Sequence, residues 1–283
     1  YIKINYIILY NIYNMNIPLC LSNHIGMINN DNQECEKDKF FKQIKNINDK
    51  GFHKKYLENQ ADPQICFNSI KKHILDCNHS EIDIFIHCWD YNLEKKILKL
   101  YNPKKYKFEK NNEIKLNFDN SFNHNFISKC YSVNYSIKLK KQYEIENNFT
   151  YDFVMWSRID NFYYKDIIID INLDGRYIYQ EYCTTQKIKD NSISPPKYFL
   201  DGLAISSSKN IDLLGNILNS NKKDYFKYHT GFFQYFKDHN IEIRNLKLFN
   251  IYHVNRIYVL HQFLEFNKIS KEYFLKKYDL LSI

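Results

Sequence analysis

The sequence predicts an α/β fold of Rossmann type, with one mostly parallel sheet flanked by helices. Short apolar runs alternate along the chain with stretches of helical periodicity, which is typical of a parallel sheet covered on both faces. The 283 residues are 44% hydrophobic, enough for a substantial core. We therefore expect a single domain over residues 15–260, preceded by an extension at 1–14 and followed by a helical tail at 261–283.

Seven segments are predicted to be strands, because each is short, mostly apolar and bounded by polar or turn-forming residues. The predicted strands are residues 17–22, 82–88, 104–108, 152–157, 176–180, 200–206 and 241–248. Their alternation with helical stretches predicts that most of them run parallel in one sheet.

Helical periodicity is clearest in two of these intervening stretches. Ile70, Ile74 and Leu75 form part of an apolar stripe over 64–76, and a similar stripe runs along 125–147. Further helices are predicted at 207–219 and 231–239. The polar stretch 29–62 is predicted to be a surface insertion, and the Pro195-Pro196 pair predicts a loop at 189–197.

The charge of the chain does not indicate a nucleic-acid partner. Forty Lys and Arg against thirty-two Asp and Glu give a net charge of +8, but the lysines are scattered and no basic run carries interleaved aromatics. Arginine is rare by contrast. Only four occur, at 158, 176, 244 and 256, so an arginine at the end of a core strand is informative.

The cysteines and the apolar segments indicate a cytoplasmic protein. The seven cysteines form no CxxC pair and lie partly within apolar segments, which favours reduced thiols in a reducing compartment. The opening segment is too short and too interrupted by Asn and Lys to cross a bilayer. Met15 stands directly before the first predicted strand, so residues 1–14 are interpreted as a non-essential extension.

Several nucleotide-binding and hydrolytic motifs do not occur in the sequence. It has no GxxxxGK[ST], GxGxxG, HExxH or GxSxG, and only six glycines. A glycine-rich phosphate loop is therefore not expected. A bound diphosphate would need a metal ion, an arginine or isolated backbone donors.

The stretch YDFVMWSRIDNFYY at 151–164 ends an apolar strand on Arg158 and Asp160. Residues two apart on a strand point to the same face, so the two side chains can form a structural ion pair. Alternatively, Asp160 can hold a divalent cation while Arg158 neutralises diphosphate oxygens. The sequence leaves both interpretations open.

Three further stretches carry candidate site residues. The strand IDIFIHCWD ends on His87, Trp89 and Asp90, a pattern that buried structural side chains explain equally well. Asp201 precedes Gly202 before a strand, where turn chemistry alone can account for it. His229 lies just before a predicted helix that Thr230 can cap.

The order of these stretches resembles a family of GT-A-like glycosyltransferases found in giant viruses and bacterial surface-polysaccharide clusters. The resemblance covers roughly residues 15–250 and rests on IPLCLSNHIG, DIFIHCWD, the later RID and FLDGLAISSS. The family patterns are close to DIFIHTWD and YDxVIRxRxD. This chain has Met155-Trp156 where Ile-Arg is usual, and Cys88 in place of Thr.

The resemblance implies transfer of a sugar from a nucleotide-sugar donor to a glycan acceptor, assisted by manganese or magnesium (Mn²⁺ or Mg²⁺). It also implies a location in the host cytoplasm or virion if the protein is viral. It assigns metal binding to Asp160, and it assigns to Arg158 the compensation of leaving-group charge. It places Ser22 and His24 beside the nucleotide, and His87, Trp89 and Asp90 along the cleft. Asp201 is assigned to acceptor binding or to the role of general base, and His229 to contact with metal or phosphate.

Two other classes of protein remain open from the sequence. A nucleotidyltransferase also uses a strand-end aspartate with a metal, but it normally needs a second carboxylate and a phosphate-gripping loop. A catalytically inactive carbohydrate-binding or assembly protein is the non-enzyme alternative. Two departures from the family pattern favour that alternative: Met155-Trp156, and Asn23 in the first loop, which usually reads SGHxR.

Overall fold

The structure is a computed structural model that describes residues 17–23, 63–78, 81–110, 124–161, 163, 166–169, 173–180, 199, 202–220, 222–226 and 230–245. The predicted fold class is confirmed: seven strands form one mostly parallel sheet that is flanked by helices. The predicted extension, insertion, proline loop and C-terminal tail lie outside the described residues.

All seven predicted strands occur, with boundaries that differ from prediction by up to three residues where both ends are described. The strands are β1 Ile17–Asn23, β2 Ile82–Cys88, β3 Lys105–Phe108, β4 Phe153–Arg158, β5 Ile178–Gln180, β6 Leu203–Ser207 and β7 Ile243–Asn245. The N-terminal part of the predicted 176–180 strand is a turn, in which the Tyr177 N–H donates to the Asp174 carbonyl.

The strands lie in the order β3-β2-β1-β4-β6-β5-β7. Strands β3, β2, β1 and β4 are parallel neighbours, and β5 and β7 form a second parallel pair. Strand β6 runs antiparallel to both β4 and β5. Strand β6 therefore begins at the edge of the sheet where β1, β2 and β4 end.

Five α-helices are described. They are α1 Pro63–Ile70, α2 Glu94–Tyr101, α3 His124–Glu146, α4 Ser208–Asn216 and α5 Gly231–Asp238. Helix α1 continues as a π-helical turn at Lys71–Leu75, and α4 continues as a 3₁₀ turn at Ile217–Asn219, so the predicted helices at 64–76 and 207–219 each change type near their end.

Helix α2 was missed by the sequence prediction. Its eight residues, EKKILKLY, bury only Ile97 and Tyr101, which lie four residues apart on one face. The segment spans only about two helical turns, which is too short for a reliable periodic signal. The helix ends at Asn102, which adopts a left-handed conformation (φ 42°) and whose N–H donates to the Leu98 carbonyl at 3.0 Å.

The core has one layer on each face of the sheet, because successive strand side chains point to opposite faces. On one face, Cys20, Phe85 and Trp156 pack against apolar side chains of α3, α4 and α5. On the other face, residues such as Leu21 and Met155 pack with apolar side chains of α1 and α2. Within the described helices, none is long and apolar enough to cross a membrane.

The five described cysteines are thiols, and none of them is in a disulfide. They are Cys20, Cys66, Cys77, Cys88 and Cys130, and all but Cys77 are buried. Burial raises the pKa of Cys20 and Cys130 to about 12, so both stay protonated at neutral pH. These observations agree with the buried reduced thiols that the sequence predicts.

Candidate active site at the carboxyl edge of the sheet

Three of the predicted site residues lie side by side at the carboxyl edge of the parallel strands. Ser22 of β1 pairs in register with His87 of β2 on one side and with Arg158 of β4 on the other. Residues at paired positions of parallel strands point to the same face. The structure thus brings Ser22, His87 and Arg158 together on the face that α3 covers.

Arg158 and Asp160 form a buried, bidentate ion pair. The Arg158 Nε donates to Asp160 Oδ1 at 2.8 Å, and Nη2 donates to Oδ2 at 2.7 Å. Arg158 is 6% exposed and Asp160 is 7% exposed. The structural-pair interpretation of the sequence is therefore correct in its geometry, and both oxygens of Asp160 face the guanidinium.

The turn that carries Asp160 is tied to both neighbouring strands. The Ile159 N–H donates to the Ser22 carbonyl at 3.0 Å, and the Arg158 N–H donates to the Gly202 carbonyl at 3.2 Å. The Asn161 side-chain amide also donates to the Gly202 carbonyl, at 2.6 Å. These bonds fix the turn against β1 and against the residue that precedes β6.

A second set of contacts holds the residues that follow this turn. The Tyr163 hydroxyl lies 2.6 Å from Ser157 Oγ and accepts from Asn161 Nδ2 at 2.9 Å. Ser69 Oγ of α1 donates to the Tyr163 carbonyl at 2.7 Å and accepts from the Tyr163 N–H. We call Ser69, Ser157, Asn161 and Tyr163 the brace. Sequence reasoning missed the brace, because a serine or an asparagine in this Asn-rich chain carries no signal of its distant partner.

Ser22 is fully buried, and its hydroxyl accepts a hydrogen bond from the Trp156 indole N–H at 2.9 Å. Trp156 is itself fully buried on the α3 face. The tryptophan that departs from the family pattern therefore has a packing role, since it fills the core and binds β4 to β1.

Asp90 lies just beyond the end of β2 and is 7% exposed. Its N–H donates to Cys88 Sγ at 3.4 Å, and that thiol donates to Asp90 Oδ2 at 3.8 Å. Burial raises the pKa of Cys88 well above its usual value, and the negative charges of Asp90 and Asp160 raise it further. The protonated thiol thus lies near the carboxylates that follow β2 and β4.

The described residues do not by themselves form the divalent-cation site that the sequence predicts. Both oxygens of Asp160 are hydrogen-bonded to Arg158. Across the described ranges, no three His, Cys, Asp or Glu side chains are grouped as metal ligands. Metal binding at Asp160 stays a prediction, since His24, Asp201 and His229 lie outside the described residues.

His87 and Trp89 are buried in a polar and aromatic cluster against α3. His87 Nδ1 lies 2.7 Å from Ser132 Oγ of α3, and Nε2 lies 2.9 Å from Glu109 Oε1. The Trp89 ring stacks on Tyr131, with ring centroids 5.1 Å apart. His87 is fully buried and Trp89 is 2% exposed, so both side chains pack against α3 at the carboxyl end of β2.

Glu109 follows β3 and completes this cluster. Its second oxygen lies 2.9 Å from Lys107 Nζ. Burial alone would raise the pKa of Glu109, but hydrogen bonds from His87, Lys107 and Tyr131 outweigh it and lower the pKa to about 2. Sequence reasoning missed Glu109, because nothing near it in the chain signals a contact with a histidine 22 residues away.

This lowered pKa predicts a pH-dependent contribution to stability. Because the folded-state pKa lies below the ordinary value of 4.5, the stabilisation is present above about pH 4.5 and is lost as the pH falls towards about 2. Glu109→Gln should therefore flatten this part of the curve of unfolding free energy against pH. Chemical denaturation at several pH values measures the curve.

The control for that experiment is Glu81→Gln, because the Glu81 side chain is 89% exposed and its Oε1 lies 3.9 Å from Lys104 Nζ. It should leave the curve unchanged. If Glu109→Gln leaves the slope of unfolding free energy against pH unaltered, the carboxylate does not stabilise the fold through its contacts with His87 and Lys107.

The direction of α3 adds to the electrostatics of this edge. Ser132, in the first half of α3, contacts His87 near the end of β2, and Tyr151, which follows the helix, donates to Asp83 near the start of β2. Helix α3 therefore runs antiparallel to β2 and begins at the carboxyl edge. The positive end of its dipole lies on the same side of the sheet as Arg158.

Comparisons with known proteins find similarity only among solved structures: no family model and no curated protein matches. A protein of Desulfovibrio desulfuricans G20 that was assigned as a nucleotide-diphospho-sugar transferase is 13% identical, over 78% of this chain and 80% of that chain, with a TM-score of 0.39. The bifunctional glycosyltransferase WbbM is also 13% identical, over 66% of this chain and 36% of its own, with a TM-score of 0.38.

The glycosyltransferase GlyE of Streptococcus pneumoniae TIGR4 is 15% identical, with a TM-score of 0.35. The similarity covers 65% of this chain and 42% of GlyE. The chain therefore spans less than half the length of two of the three structures, and four-fifths of the first.

Proposed function

We propose that this protein is a GT-A-like glycosyltransferase that moves a sugar from a nucleotide-sugar donor to a glycan acceptor. One observation carries the proposal: Arg158 ends a central strand, and Asp160 follows it, at the carboxyl edge where β1 and β2 also end. In open α/β sheets, ligands bind outside the carboxyl ends of the strands. The same two residues match the family pattern that the sequence resembles.

The charges at this edge suit a diphosphate. A guanidinium matches phosphate oxygens in a bidentate geometry, and the start of α3 adds a partial positive charge on the same side. In the transfer, the acceptor oxygen bonds to the anomeric carbon as the bond to the donor phosphate breaks. The electron pair leaves with the nucleoside diphosphate, and the hydroxyl proton goes to a base or to solvent.

Roles for four further predicted residues are proposed from their positions relative to the strands. Asp90, which follows β2, and His24, which follows β1, are proposed to contact the nucleotide. Asp201 is proposed to bind the acceptor or act as general base, because its neighbour Gly202 lies beside Arg158. His229 is proposed to contact phosphate.

A thermal-shift screen against UDP-, GDP- and dTDP-sugars tests the proposal. One nucleotide-sugar class should stabilise the protein, by about 2.7 kcal/mol at a ligand concentration of roughly one hundred times its Kd. The free sugar and ATP serve as controls and should not match that shift. If no nucleotide sugar raises the melting temperature, with or without a divalent cation, the proposal is wrong.

An inactive carbohydrate-binding protein is the second candidate, and the mutual burial of Arg158 and Asp160 favours it. A paired and buried Arg and Asp can serve structure alone. The same screen separates the two candidates, since a binding protein for glycans should be stabilised by oligosaccharides and not by nucleotide sugars.

A further inference from the structure

We infer that this protein docks on an anionic membrane surface through the outer side of α2 and the edge strand β3. Five residues carry the inference and are called the docking surface: Tyr91, Lys95, Lys99, Tyr106 and Lys110. The inference goes beyond the proposed function and does not depend on it, because the partner is a lipid bilayer and not a substrate.

The first argument is the charge of the segment 91–110, which contains α2 and β3. It has seven lysines against two glutamates, a net charge of +5, whereas the whole chain has +8. The sequence prediction treated the lysines as scattered, and for this segment that description is wrong. Local charge of one sign attracts partners of the opposite sign.

Part of this charge is neutralised within the fold. Three lysines at the start of β3 or within it form ion pairs with carboxylates. Lys95 and Lys99 of α2 differ, since neither has an ion pair within the part of the chain that the structure describes. The three pairs are Lys104 with Asp83, Lys105 with Glu146, and Lys107 with Glu109.

The second argument is the direction of the two unneutralised lysines of α2. Ile97 and Tyr101 are the buried residues of this helix, and the helical period places Lys95 and Lys99 on its opposite side, where both are exposed. Like charges four residues apart on a helix repel each other. An anionic surface against this side of α2 relieves that repulsion.

The third argument is the exposure of two tyrosines beside these lysines. Across the described residues four large hydrophobic side chains are exposed, and two of them are Tyr91, at 51%, and Tyr106, at 47%. Tyr91 lies in the turn before α2, with Lys110 Nζ 5.6 Å from its ring centroid. Tyr106 pairs in register with Ile86, so it points to the face of the sheet that α2 covers.

The kinds of residue in this surface favour a bilayer over a nucleic acid. The segment 91–110 contains no arginine, the residue that reads base edges and phosphates in bidentate geometry. Lysine acts instead as a point charge on a flexible stem, and a tyrosine combines an apolar ring with a polar tip. This combination matches the interface of an anionic bilayer, where a diffuse negative layer covers an apolar interior.

The docking surface begins beside the candidate active site. Tyr91 directly follows Asp90 at the end of β2, and Lys110 follows the end of β3. Both strands end at the carboxyl edge of the sheet, because they are parallel neighbours. A protein docked in this way would hold its carboxyl edge close to the membrane.

The test is flotation of the full chain with vesicles of phosphatidylcholine, prepared with and without phosphatidylserine. We expect binding to the vesicles that contain phosphatidylserine, and this binding should weaken as salt is added. Absence of binding, or equal binding to both compositions, overturns the inference. If a single-stranded oligonucleotide displaces the protein from the anionic vesicles at equal charge concentration, the surface serves a nucleic acid and the inference is also wrong.

Two double variants locate the binding on the docking surface. Lys95→Gln with Lys99→Gln should lower the partition coefficient at least roughly tenfold, because each lysine near an anionic surface contributes to the attraction. Tyr91→Ser with Tyr106→Ser should lower it as well, since serine offers no ring to the interface. Parental binding by either variant, with a circular dichroism spectrum like that of the parent, overturns the inference.

The matched control is Lys209→Gln with Lys237→Gln. These exposed lysines belong to α4 and α5, which pack on the opposite face of the sheet from α2. The control removes the same charge and should bind the vesicles as the parent does. An equal loss in the control and in the α2 variant would show that only net charge matters, and would overturn the inference. The nucleotide-sugar screen is a separate measurement, so failure of the proposed function leaves this inference standing.

Discussion

Lys140→Ala is expected to lower the free energy of unfolding by about 3–5 kcal/mol, because it leaves the buried carboxylate of Glu144 without its cation. Lys140 of α3 is fully buried. Its Nζ contacts Ser208 Oγ at 2.5 Å, Asp212 Oδ1 at 2.8 Å and Glu144 Oε2 at 3.0 Å. The ammonium group therefore joins α3 to α4 from inside the core.

Glu144 makes this site sensitive to the loss of the lysine. Glu144 is 6% exposed, and its Oε1 accepts from Ser208 Oγ and from the Tyr151 N–H just before β4. Without Lys140, its negative charge stays buried beside that of Asp212. Equilibrium denaturation in urea measures the change in unfolding free energy.

Lys141→Ala is the matched control. Lys141 is the next residue and contacts the same aspartate, at 3.2 Å, but its side chain is 56% exposed. Exposed ion pairs contribute about 0–1 kcal/mol. Lys140→Met separates charge from volume, since it keeps an unbranched apolar chain, and it should be destabilised nearly as much as the alanine variant. A loss of less than about 1 kcal/mol in both Lys140 variants would show that the buried charge is dispensable.

Asp201→Asn is expected to lower sugar transfer by roughly 10²–10⁴-fold, the range typical of general acid–base groups. Asp201 lies outside the described residues and directly precedes Gly202 in the chain. The Gly202 carbonyl accepts from the Arg158 N–H and from the Asn161 amide. The residue before Gly202 is therefore next to the proposed donor site along the chain.

Donor affinity should stay close to that of the parent, because the proposed role of Asp201 is towards the acceptor. Initial rates of transfer and donor binding are measured together. If Asp201 only shapes a turn, asparagine replaces it well, since it supports the same local hydrogen bonding. Near-normal turnover would then rule out the general-base role.

Asp152→Asn is the control for this prediction. Asp152 directly precedes the strand β4, but it is exposed and lies at the opposite edge of the sheet from Gly202. The variant should transfer sugar at the parental rate. A similar loss in both variants would point to a general effect of removing a carboxylate.

The sequence predicts those parts of the fold that depend on local pattern. The strand β2, IDIFIHC, is apolar at five of its seven positions, and its boundaries at Ile82–Cys88 are as predicted. The proximity of Ser22 and Arg158 also follows from the predicted strands, since residues at the ends of neighbouring parallel strands meet at one edge of the sheet. The direction of β6 has no such signal, because LAISS is buried and carries no feature that distinguishes a parallel from an antiparallel neighbour.

The candidate site could be predicted only as far as residue type and strand position determine it. Arg158 was prominent because arginine is rare in this chain. The contact between Arg158 and Asp160 was one of two possibilities, and only the described geometry decides for it. Lys140 and Glu109 were not distinguishable in a chain rich in charged residues, since their partners come from elements far away in sequence.

The antiparallel direction of β6 has an evolutionary consequence. The residues proposed for the donor lie in or shortly after β1, β2 and β4 along the chain, whereas Asp201, proposed for the acceptor, precedes β6. The two regions meet at the Gly202 carbonyl, which is held through its backbone and not through its side chain. Under the proposed roles, we expect substitutions next to Gly202 to change acceptor choice while Arg158 and Asp160 keep their geometry, so that acceptor and donor recognition can vary independently.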